Sequence, residues 1–145
     1  MKEVLILNGP NLNLIGIREP EIYGSRSFEQ FYLELQDANP SLFLTYYQSN
    51  HEGALIDKLQ EVGFEIDGII FNPGGYTHTS IALRDTVSAI TTPVIEVHIS
   101  NILERESFRH HSYLEDVALT SIIGKGLPGY QQALDFLSSH LSKIM

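Results

Sequence analysis

Five short apolar runs, each separated from the next by a helix-like pattern, constrain the fold of this chain more than any other feature. They cover residues 4–7, 42–48, 69–71, 94–98 and 117–123. Runs that are apolar on both faces are typical of parallel strands buried in a sheet, and parallel strands require crossover connections. The sequence therefore predicts an α/β fold. We expect a flavodoxin-like three-layer sandwich, with a five-stranded parallel sheet of order 2-1-3-4-5.

The first two helices are predicted from their end signals. Ser27 and Gln30 match a capping box, and the helix that follows stops before Pro40. Its apolar face is formed by Phe28, Phe31, Leu35 and Ala38. Residues 49–50 are predicted to cap a second helix, which ends at Gly63.

Two further helices are predicted at about residues 79–90 and at 130–144. The segment 124–129 before the last helix reads Gly-Lys-Gly-Leu-Pro-Gly and matches the G-x-G-x-x-G dinucleotide fingerprint. Too little chain follows it to supply the next strand with its ribose-binding acid, so the match is interpreted as a false positive. Pro128 is an ordinary residue at the start of a helix.

Composition limits the class of protein. A chain of 145 residues fits one domain, predicted here as a single catalytic domain over residues 1–145. A net charge of -9 argues against binding to nucleic acid or to an anionic membrane. The absence of cysteine excludes disulfides and thiolate chemistry. With no signal peptide and no apolar run of membrane-spanning length, we expect a cytoplasmic protein.

Polar side chains follow strands one, three and four, whose carboxyl ends meet at one edge of the sheet. They are Asn11, Arg18 and Tyr23 after the first strand, Asn72 and His78 after the third, and Glu96, His98, Ser100, Arg105 and Arg109 at or after the fourth. The first group lies on a loop, residues 8–24, that is too long for a simple strand-to-helix connection. The sequence therefore predicts one small-molecule site at this edge, with that loop as its lid.

Several of these residues have an ordinary structural interpretation as well as a chemical one. Tyr23 alone fits a surface or hinge position, because a free phenol has a pKa of about 10 and is a poor base at neutral pH. Two guanidinium groups in a dry pocket would lower that pKa, and Arg18 and Arg109 are candidates for this or for binding a carboxylate. Either arginine alone also fits a solvated surface charge.

Glu96 and His98 are two apart on a strand, so their side chains leave on the same face. A carboxylate beside an imidazole fixes its tautomer and favours the protonated form that a general acid needs. A purely structural hydrogen bond at a strand end is the alternative. A metal site formed by His78, His110 and His111 is weakly supported, because no HExxH or comparable spacing occurs. The turn at residues 72–75 fits either an anion-binding helix start or a plain turn.

Five blocks of sequence occur in a specific order and spacing. They are Asn-Gly-Pro-Asn-Leu-Asn-Leu (8–14), Arg-Glu-Pro-x-x-Tyr-Gly (18–24), Gln-Ser-Asn-x-Glu-Gly (48–53), Phe-Asn-Pro-Gly-Gly-Tyr-Thr-His-Thr-Ser (71–80) and Glu-Val-His-Ile-Ser-Asn (96–101). Together they closely resemble the type II 3-dehydroquinate dehydratases, and the match continues through residues 105–112. The resemblance implies reversible loss of water from 3-dehydroquinate to give 3-dehydroshikimate, in the shikimate pathway, with no metal and no cofactor.

The resemblance also implies catalytic roles. Tyr23 would remove a proton from the carbon beside the ketone, and Arg18 would hold it as a phenolate. Asn11 would stabilise the enolate through an ordered water. His98, oriented by Glu96, would protonate the departing hydroxyl group.

The resemblance assigns substrate binding to a second group of residues. They are Asn72, His78, Asp85, Ile99, Ser100 and Arg109, with Arg105 in the mobile cover beside Arg18. The resemblance also implies a homododecamer, in which Asp85 can come from a neighbouring subunit. Leu103 and Glu104 replace the His-Ala pair frequent in relatives.

The sequence also allows two interpretations other than an enzyme. A flavodoxin-like binding or signalling module without catalysis is one. A phosphoryl receiver would need acidic residues at the ends of strands one and three, where this chain has Asn8 and Asn72. A catalytically inactive interaction protein is the other. It would not require Arg18, Tyr23 and His98 to occur together. No lysine lies among the polar clusters, so imine chemistry is not supported.

Overall fold

The computed structural model, which describes residues 1–17, 21 and 25–144, contains a five-stranded parallel sheet. Its strands are β1 (Lys2–Asn8), β2 (Leu42–Gln48), β3 (Gly68–Asn72), β4 (Val94–His98) and β5 (Thr120–Ile123). The order is β2-β1-β3-β4-β5, and every pairing is parallel. The predicted α/β flavodoxin-like fold and strand order are confirmed.

Within the described residues, four α-helices of two or more turns pack against the sheet. They are α1 (Phe28–Ala38), α2 (Glu52–Val62), α3 (Ile81–Ala89) and α4 (Pro128–Lys143). The capping box at the start of α1 is present, because the Gln30 N–H donates to the Ser27 hydroxyl and the Ser27 N–H donates to the Gln30 side chain, each over 3.2 Å. The predicted cap of α2 is wrong. The N-cap is His51, which lies two residues after Ser49. The Ser49 hydroxyl accepts from the His51 N–H and not from an N–H of the first helical turn, so it does not cap the helix.

The helices form two layers, one on each face of the sheet. Helices α1 and α4 pack on one face, where Phe28, Leu35, Tyr130 and Leu137 join the apolar residues of β1, β3 and β4. Helices α2 and α3 pack on the other, through residues such as Leu55, Leu59 and Leu83. Each fully buried side chain of this size stabilises the fold by about 1.5–3 kcal/mol. The core is therefore divided between the two faces of the sheet.

Some predicted boundaries differ from the structure. β5 begins at Thr120 instead of residue 117, because the N–H groups of Val117 and Ala118 turn back to the Leu114 carbonyl. The helix predicted from residue 79 begins at Ile81, where the Ser80 hydroxyl caps it. Residues Gly74–His78 form a separate 3-10 turn. The Gly-Gly pair is therefore not the start of an α-helix, which favours the plain turn among the two interpretations given for residues 72–75.

Two residues predicted on the apolar faces of helices are exposed in the structure. Ala38 is exposed at the last turn of α1, and Ile144 lies beyond the end of α4 with 67% of its surface exposed. Helix α4 begins at Pro128, two residues before the predicted start at residue 130, and Pro128 is at its first position, which agrees with its interpretation as a residue of the helix start. No helix among residues 1–17, 21 and 25–144 has the length and apolar character needed to cross a membrane.

Strand register brings the polar strand ends together. Asn8 and Asn72 are directly paired across β1 and β3, and Phe71 is paired with Glu96 across β3 and β4. Beyond these positions Gly9 donates its N–H to the Asn72 carbonyl over 2.8 Å. A Cβ at Gly9 would stand 2.4 Å from the Pro73 carbonyl oxygen, so only glycine allows the two loops to approach this closely.

Candidate active site

A polar pocket of about 210 Å³ opens at the carboxyl edge of β1, β3 and β4. Such an edge, next to the point where strand order reverses, is where open α/β sheets bind ligands. The predicted site residues that line it are Asn11, Asn72, His78, His98, Ile99, Ser100, Arg105 and Arg109. The structure therefore brings together the polar groups predicted after three separate strands.

The remaining predicted residues lie elsewhere. Arg18 and Tyr23 fall outside the described residues. Glu96 lies beneath the pocket with none of its surface exposed. Asp85 is exposed on α3 and is not among the residues that line the pocket of this chain.

Glu96 and His98 form a hydrogen-bonded pair at the end of β4. The His98 Nε2 atom lies 2.6 Å from the Glu96 Oε2 atom, and both side chains are almost completely buried. The same-face geometry predicted from their spacing is confirmed. Since Nε2 is directed at Glu96 while His98 lines the pocket, Nδ1 is the nitrogen left for a ligand.

Three hydroxyl groups complete the surroundings of the Glu96 carboxylate. Oε2 accepts from Thr77 over 2.5 Å and from Ser112 over 2.7 Å, while Oε1 accepts from Ser121 over 3.0 Å. Ser112 is itself held by the N–H groups of Leu114 and Glu115, so its one hydrogen is available for Glu96. The carboxylate is thus held by four donors from four parts of the chain.

These donors keep Glu96 ionised. Burial by itself raises the pKa of Glu96, but hydrogen bonding and charge attraction from His98, with hydrogen bonds from Thr77 and Ser112, lower it to about 2. An ionised carboxylate only accepts hydrogen bonds, so His98 Nε2 must carry a hydrogen. The neutral imidazole then has a bare Nδ1, and the protonated one has an acidic N–H there.

The lowered pKa of Glu96 predicts how stability depends on pH. Because the folded-state value of about 2 lies below the ordinary 4.5, the stabilisation is complete above pH 4.5 and is lost as the pH falls towards 2. Between these limits the difference in unfolding free energy between wild type and Glu96→Gln should shrink by about 3 kcal/mol. Urea denaturation at stepped pH measures this. Glu65→Gln, at an exposed position, is the control, and a pH-independent difference for Glu96→Gln would contradict the prediction.

His78 is half-buried, and its ring lies 6.4 Å from that of His98. Burial lowers its pKa, and the nearby His98 and Arg109 lower it further, although the hydrogen bond to the His111 carbonyl acts in the opposite direction. The Nδ1 atom donates to that carbonyl over 2.8 Å. In the neutral ring Nε2 is therefore an acceptor suited to a substrate hydroxyl group.

Two guanidinium groups give the pocket positive charge in an otherwise acidic protein. Arg105 donates to the Ser100 hydroxyl over 3.2 Å and lies 3.6 Å from Glu106. The Arg109 Nε atom donates to both carboxylate oxygens of Glu106, over 3.2 and 3.3 Å. This uses one of the five N–H donors of the Arg109 guanidinium, which matches a carboxylate in shape. In the part of the chain that the structure describes, no group of three or more side chains could hold a metal ion.

Asn11 reaches the pocket through an unusual backbone conformation. It has a φ of 69°, in the left-handed region that asparagine tolerates better than most residues. The Asn50 carboxamide accepts its backbone N–H over 3.0 Å and so holds the loop in place. Asn72 lies deeper, with 2% of its surface exposed, and its Oδ1 atom accepts from the Gly74 N–H over 3.1 Å.

Sequence reasoning missed the hydroxyl groups that hold Glu96. Thr77 and Ser112 lie within the blocks quoted above, but their positions show no periodicity that points to a carboxylate. Ser121 was placed in a predicted strand without a role. Its register opposite Glu96 on the neighbouring strand is the one signal that could have found it.

These features define an α/β domain with an acid–base site: a buried carboxylate orients an imidazole towards a cationic pocket at the switch point of a parallel sheet. A site of this kind fits an enzyme that moves protons on a small anionic substrate. A family model described as dehydroquinase class II matches residues 2–138. The chain belongs to the class II dehydroquinase family.

Individual relatives agree with this assignment. The chain is 50% identical over 146 residues to a 3-dehydroquinate dehydratase of Actinobacillus pleuropneumoniae serotype 5b (strain L20), which covers 99% of this chain and 95% of that protein. It is similar to the crystal structure of type II dehydroquinase from Butyrivibrio crossotus DSM 2876, with a TM-score of 0.91, 48% identity, and coverage of 94% and 97%. The type II dehydroquinase structure from Propionibacterium acnes gives a TM-score of 0.92 at 35% identity, covering 96% and 97%.

Proposed function

We propose that residues 1–145 act as a single catalytic domain that reversibly converts 3-dehydroquinate to 3-dehydroshikimate and water, in the shikimate pathway. The observation that carries this proposal is the buried Glu96–His98 pair, which faces a pocket with two guanidinium groups in a member of this family. Loss of water β to a ketone needs a base, a donor for the enolate oxygen and an acid for the leaving group. The proposed site supplies one of each.

The first half of the reaction forms an enolate. Tyr23, as a phenolate stabilised by Arg18, takes a proton from the carbon beside the ketone. The electron pair of that C–H bond moves onto the carbonyl oxygen, where Asn11 stabilises the negative charge through a water molecule. Arg105 and Arg109 stabilise both the Tyr23 phenolate and the enolate, because they concentrate positive charge in the pocket.

The second half expels the hydroxyl group. The enolate electrons re-form the ketone and make a carbon–carbon double bond as the carbon–oxygen bond breaks. Protonated His98 gives the hydrogen on Nδ1 to the departing oxygen, so the leaving group is water. Glu96 then faces a neutral imidazole whose tautomer is already fixed by the hydrogen bond at Nε2. Transfer of the proton gained by Tyr23 to His98, directly or by exchange of both groups with solvent, restores the phenolate and the protonated imidazole.

The remaining pocket residues bind the substrate. Arg109 fits the carboxylate through its guanidinium, and His78 accepts from a hydroxyl group through Nε2. Asn72 and Ser100 contribute polar side chains, and the backbone N–H groups of Ile99 and Ser100 are further donors. Ordered hydrogen bonds of this kind fix the substrate in the geometry that proton transfer requires.

Turnover of 3-dehydroquinate by the purified protein tests the proposed function. The product contains a conjugated enone, which is followed by ultraviolet absorbance. Activity should survive EDTA and borohydride, because the proposed chemistry uses no metal, no cofactor and no imine. A lack of product, or complete loss of activity on chelation, would contradict the proposal and favour a non-catalytic binding module.

We further propose that the chain works as a cytoplasmic homododecamer, in which Asp85 completes the pocket of a neighbouring subunit. Asp85 is exposed on α3, where Ile81 is also 56% exposed, so this helix offers a surface for another subunit. Sedimentation velocity should then give a particle close to twelve times the chain mass of 16.3 kDa. A monomeric particle with full activity would refute the shared site.

A further inference from the structure

Three buried side chains form a hydrogen-bonded row directly beneath the pocket. The Asn72 Nδ2 atom donates to the Tyr130 hydroxyl over 3.0 Å, and that hydroxyl donates to the Asn8 Oδ1 atom over 2.7 Å. Tyr130 and Asn8 are completely buried and Asn72 is 2% exposed. Of the three, Asn72 also lines the pocket. The row therefore connects the last helix to a side chain that faces the ligand.

The row has a single direction. The Gly74 N–H donates to the Asn72 Oδ1 atom, so the Asn72 NH₂ group is the one that faces the Tyr130 oxygen. The one hydrogen of the Tyr130 hydroxyl is then directed to the Asn8 Oδ1 atom. Turning the Asn72 carboxamide over would place its oxygen against the Tyr130 oxygen and its NH₂ group against the Gly74 N–H. One of two possible orientations of Asn72 is thus selected, with one amide hydrogen left for the pocket.

Tyr130 is well suited to hold this orientation. Its ring packs 5.1 Å from the ring of Phe28 and 5.8 Å from that of Phe31, which gives the aromatic α1 helix a role that its sequence alone did not suggest. Burial raises the pKa of the Tyr130 phenol, and the hydrogen bonds to Asn72 and Asn8 only partly offset this. The hydroxyl therefore keeps its hydrogen at any working pH.

The glycine-rich segment before α4 anchors the same part of the site. The N–H groups of Gly124 and Gly126 donate to the carbonyls of His98 and Ile99, over 3.1 and 3.0 Å. Gly124 has a φ of 77°, and a Cβ there would stand 2.9 Å from Asn101. The segment that resembles a dinucleotide fingerprint thus fixes the start of α4, and with it Tyr130, relative to the end of β4.

We propose that Tyr130 is a positioning residue for substrate binding, which acts through Asn72 by holding its carboxamide with one N–H directed to the substrate. The inference rests on the proposed function, since it assumes that Asn72 binds 3-dehydroquinate. The proposal gives a residue of the last helix, which does not line the pocket, an indirect role in substrate binding.

Tyr130→Phe tests this, because it removes the hydroxyl and keeps the ring. KM for 3-dehydroquinate should rise about tenfold while kcat stays within about threefold, the scale of one lost hydrogen bond between neutral groups. Tyr32→Phe is the matched control. It removes a hydroxyl that donates to the Leu44 carbonyl in the same aromatic cluster, with no connection to Asn72. Both variants should lower the midpoint of thermal unfolding, and the control should leave KM unchanged.

A double-mutant cycle separates positioning from general destabilisation. In an Asn72→Ala background, Tyr130→Phe should have almost no further effect on kcat/KM, because its route to the substrate is gone. Full additivity of the two changes, or a normal KM in Tyr130→Phe, would overturn the proposal. If Tyr130→Phe does not fold, Asn8→Ala, which removes only the acceptor of the Tyr130 hydroxyl, enters the same cycle with the same criteria.

Neutron crystal structures of wild type and Tyr130→Phe, in which the nitrogen and oxygen of a carboxamide are distinguishable, provide a readout that does not depend on turnover. The Asn72 carboxamide should be rotated or split between two orientations in the variant, and an unchanged single orientation would refute the inference. Failure of the wild type to convert 3-dehydroquinate would instead refute the proposed function. The two failures are therefore distinguishable.

Discussion

Replacing His98 with alanine should lower kcat for dehydration of 3-dehydroquinate by about 10²–10⁴-fold, the range expected for the loss of a general acid. Without the imidazole the hydroxyl group must leave without a proton from the enzyme, which makes the second half of the reaction slow. In the proposed mechanism, the first half does not use His98. The variant should therefore still form the enolate and return it to substrate.

Exchange of the substrate proton for deuterium in D₂O reports enolate formation separately from loss of the hydroxyl group. In His98→Ala, NMR should show deuterium entering the substrate at the carbon beside the ketone faster than product appears. His140→Ala, near the end of α4 and away from the pocket residues, is the control and should match the wild type. Unchanged kcat in His98→Ala, or equal loss of exchange and of dehydration, would remove His98 as the acid of the second half.

Replacing Tyr23 with phenylalanine should abolish turnover almost completely, with a loss of kcat of at least about 10³-fold. The proposed base is removed, so neither the product nor the exchanged substrate should form. KM should change little, because the phenolate acts on one proton and contributes little to binding. Tyr47→Phe, at a half-buried position beside Lys58, is the control. Deuterium exchange at the wild-type rate in Tyr23→Phe would exclude Tyr23 as the base.

The role of Tyr23 depends on an ionised phenol. A free phenol has a pKa of about 10, so half-ionisation near neutrality requires a shift of about 3 units, or about 4 kcal/mol. Arg18 supplies part of this in the proposal, and the pocket guanidinium groups of Arg105 and Arg109 supply more. Ultraviolet difference spectra between wild type and Tyr23→Phe, recorded across neutral pH, should show one tyrosinate that titrates well below 10.

Local patterns predicted the elements that position the site. The alternation of buried strands and helices gave the sheet order, because parallel strands with short crossovers have few topologies to choose from. The i, i+2 spacing of Glu96 and His98 gave their contact, since side chains on a strand alternate between faces. The gathering of Asn72, His78 and Arg109 followed from the strand order alone. Each of these inferences needs only neighbours in sequence and one topological rule.

The parts that could not be predicted depend on contacts between distant segments. Thr77 and Ser112 meet at Glu96 because a 3-10 turn and a later loop converge, and nothing local marks either hydroxyl group. Tyr130 is the first residue of the predicted last helix, and nothing local marks it as a partner of Asn72 or Asn8. Its hydrogen bonds to Asn72 and Asn8 span 58 and 122 residues of sequence. The predicted cap of α2 at residues 49–50 was wrong because the N-cap is His51, which makes no side-chain capping hydrogen bond and so carries no local capping signal.

The pairing of Asn8 with Tyr130 has a consequence for protein synthesis. The first strand leaves the ribosome early, but the Asn8 carboxamide cannot form its hydrogen bond until Tyr130, 122 residues later, has been translated. A nascent chain whose final helix is still inside the exit tunnel cannot complete the pocket floor, even if the rest of the sheet has formed. Chains released early by a stalled or truncated message should therefore be inactive and more sensitive to proteases than the full-length chain.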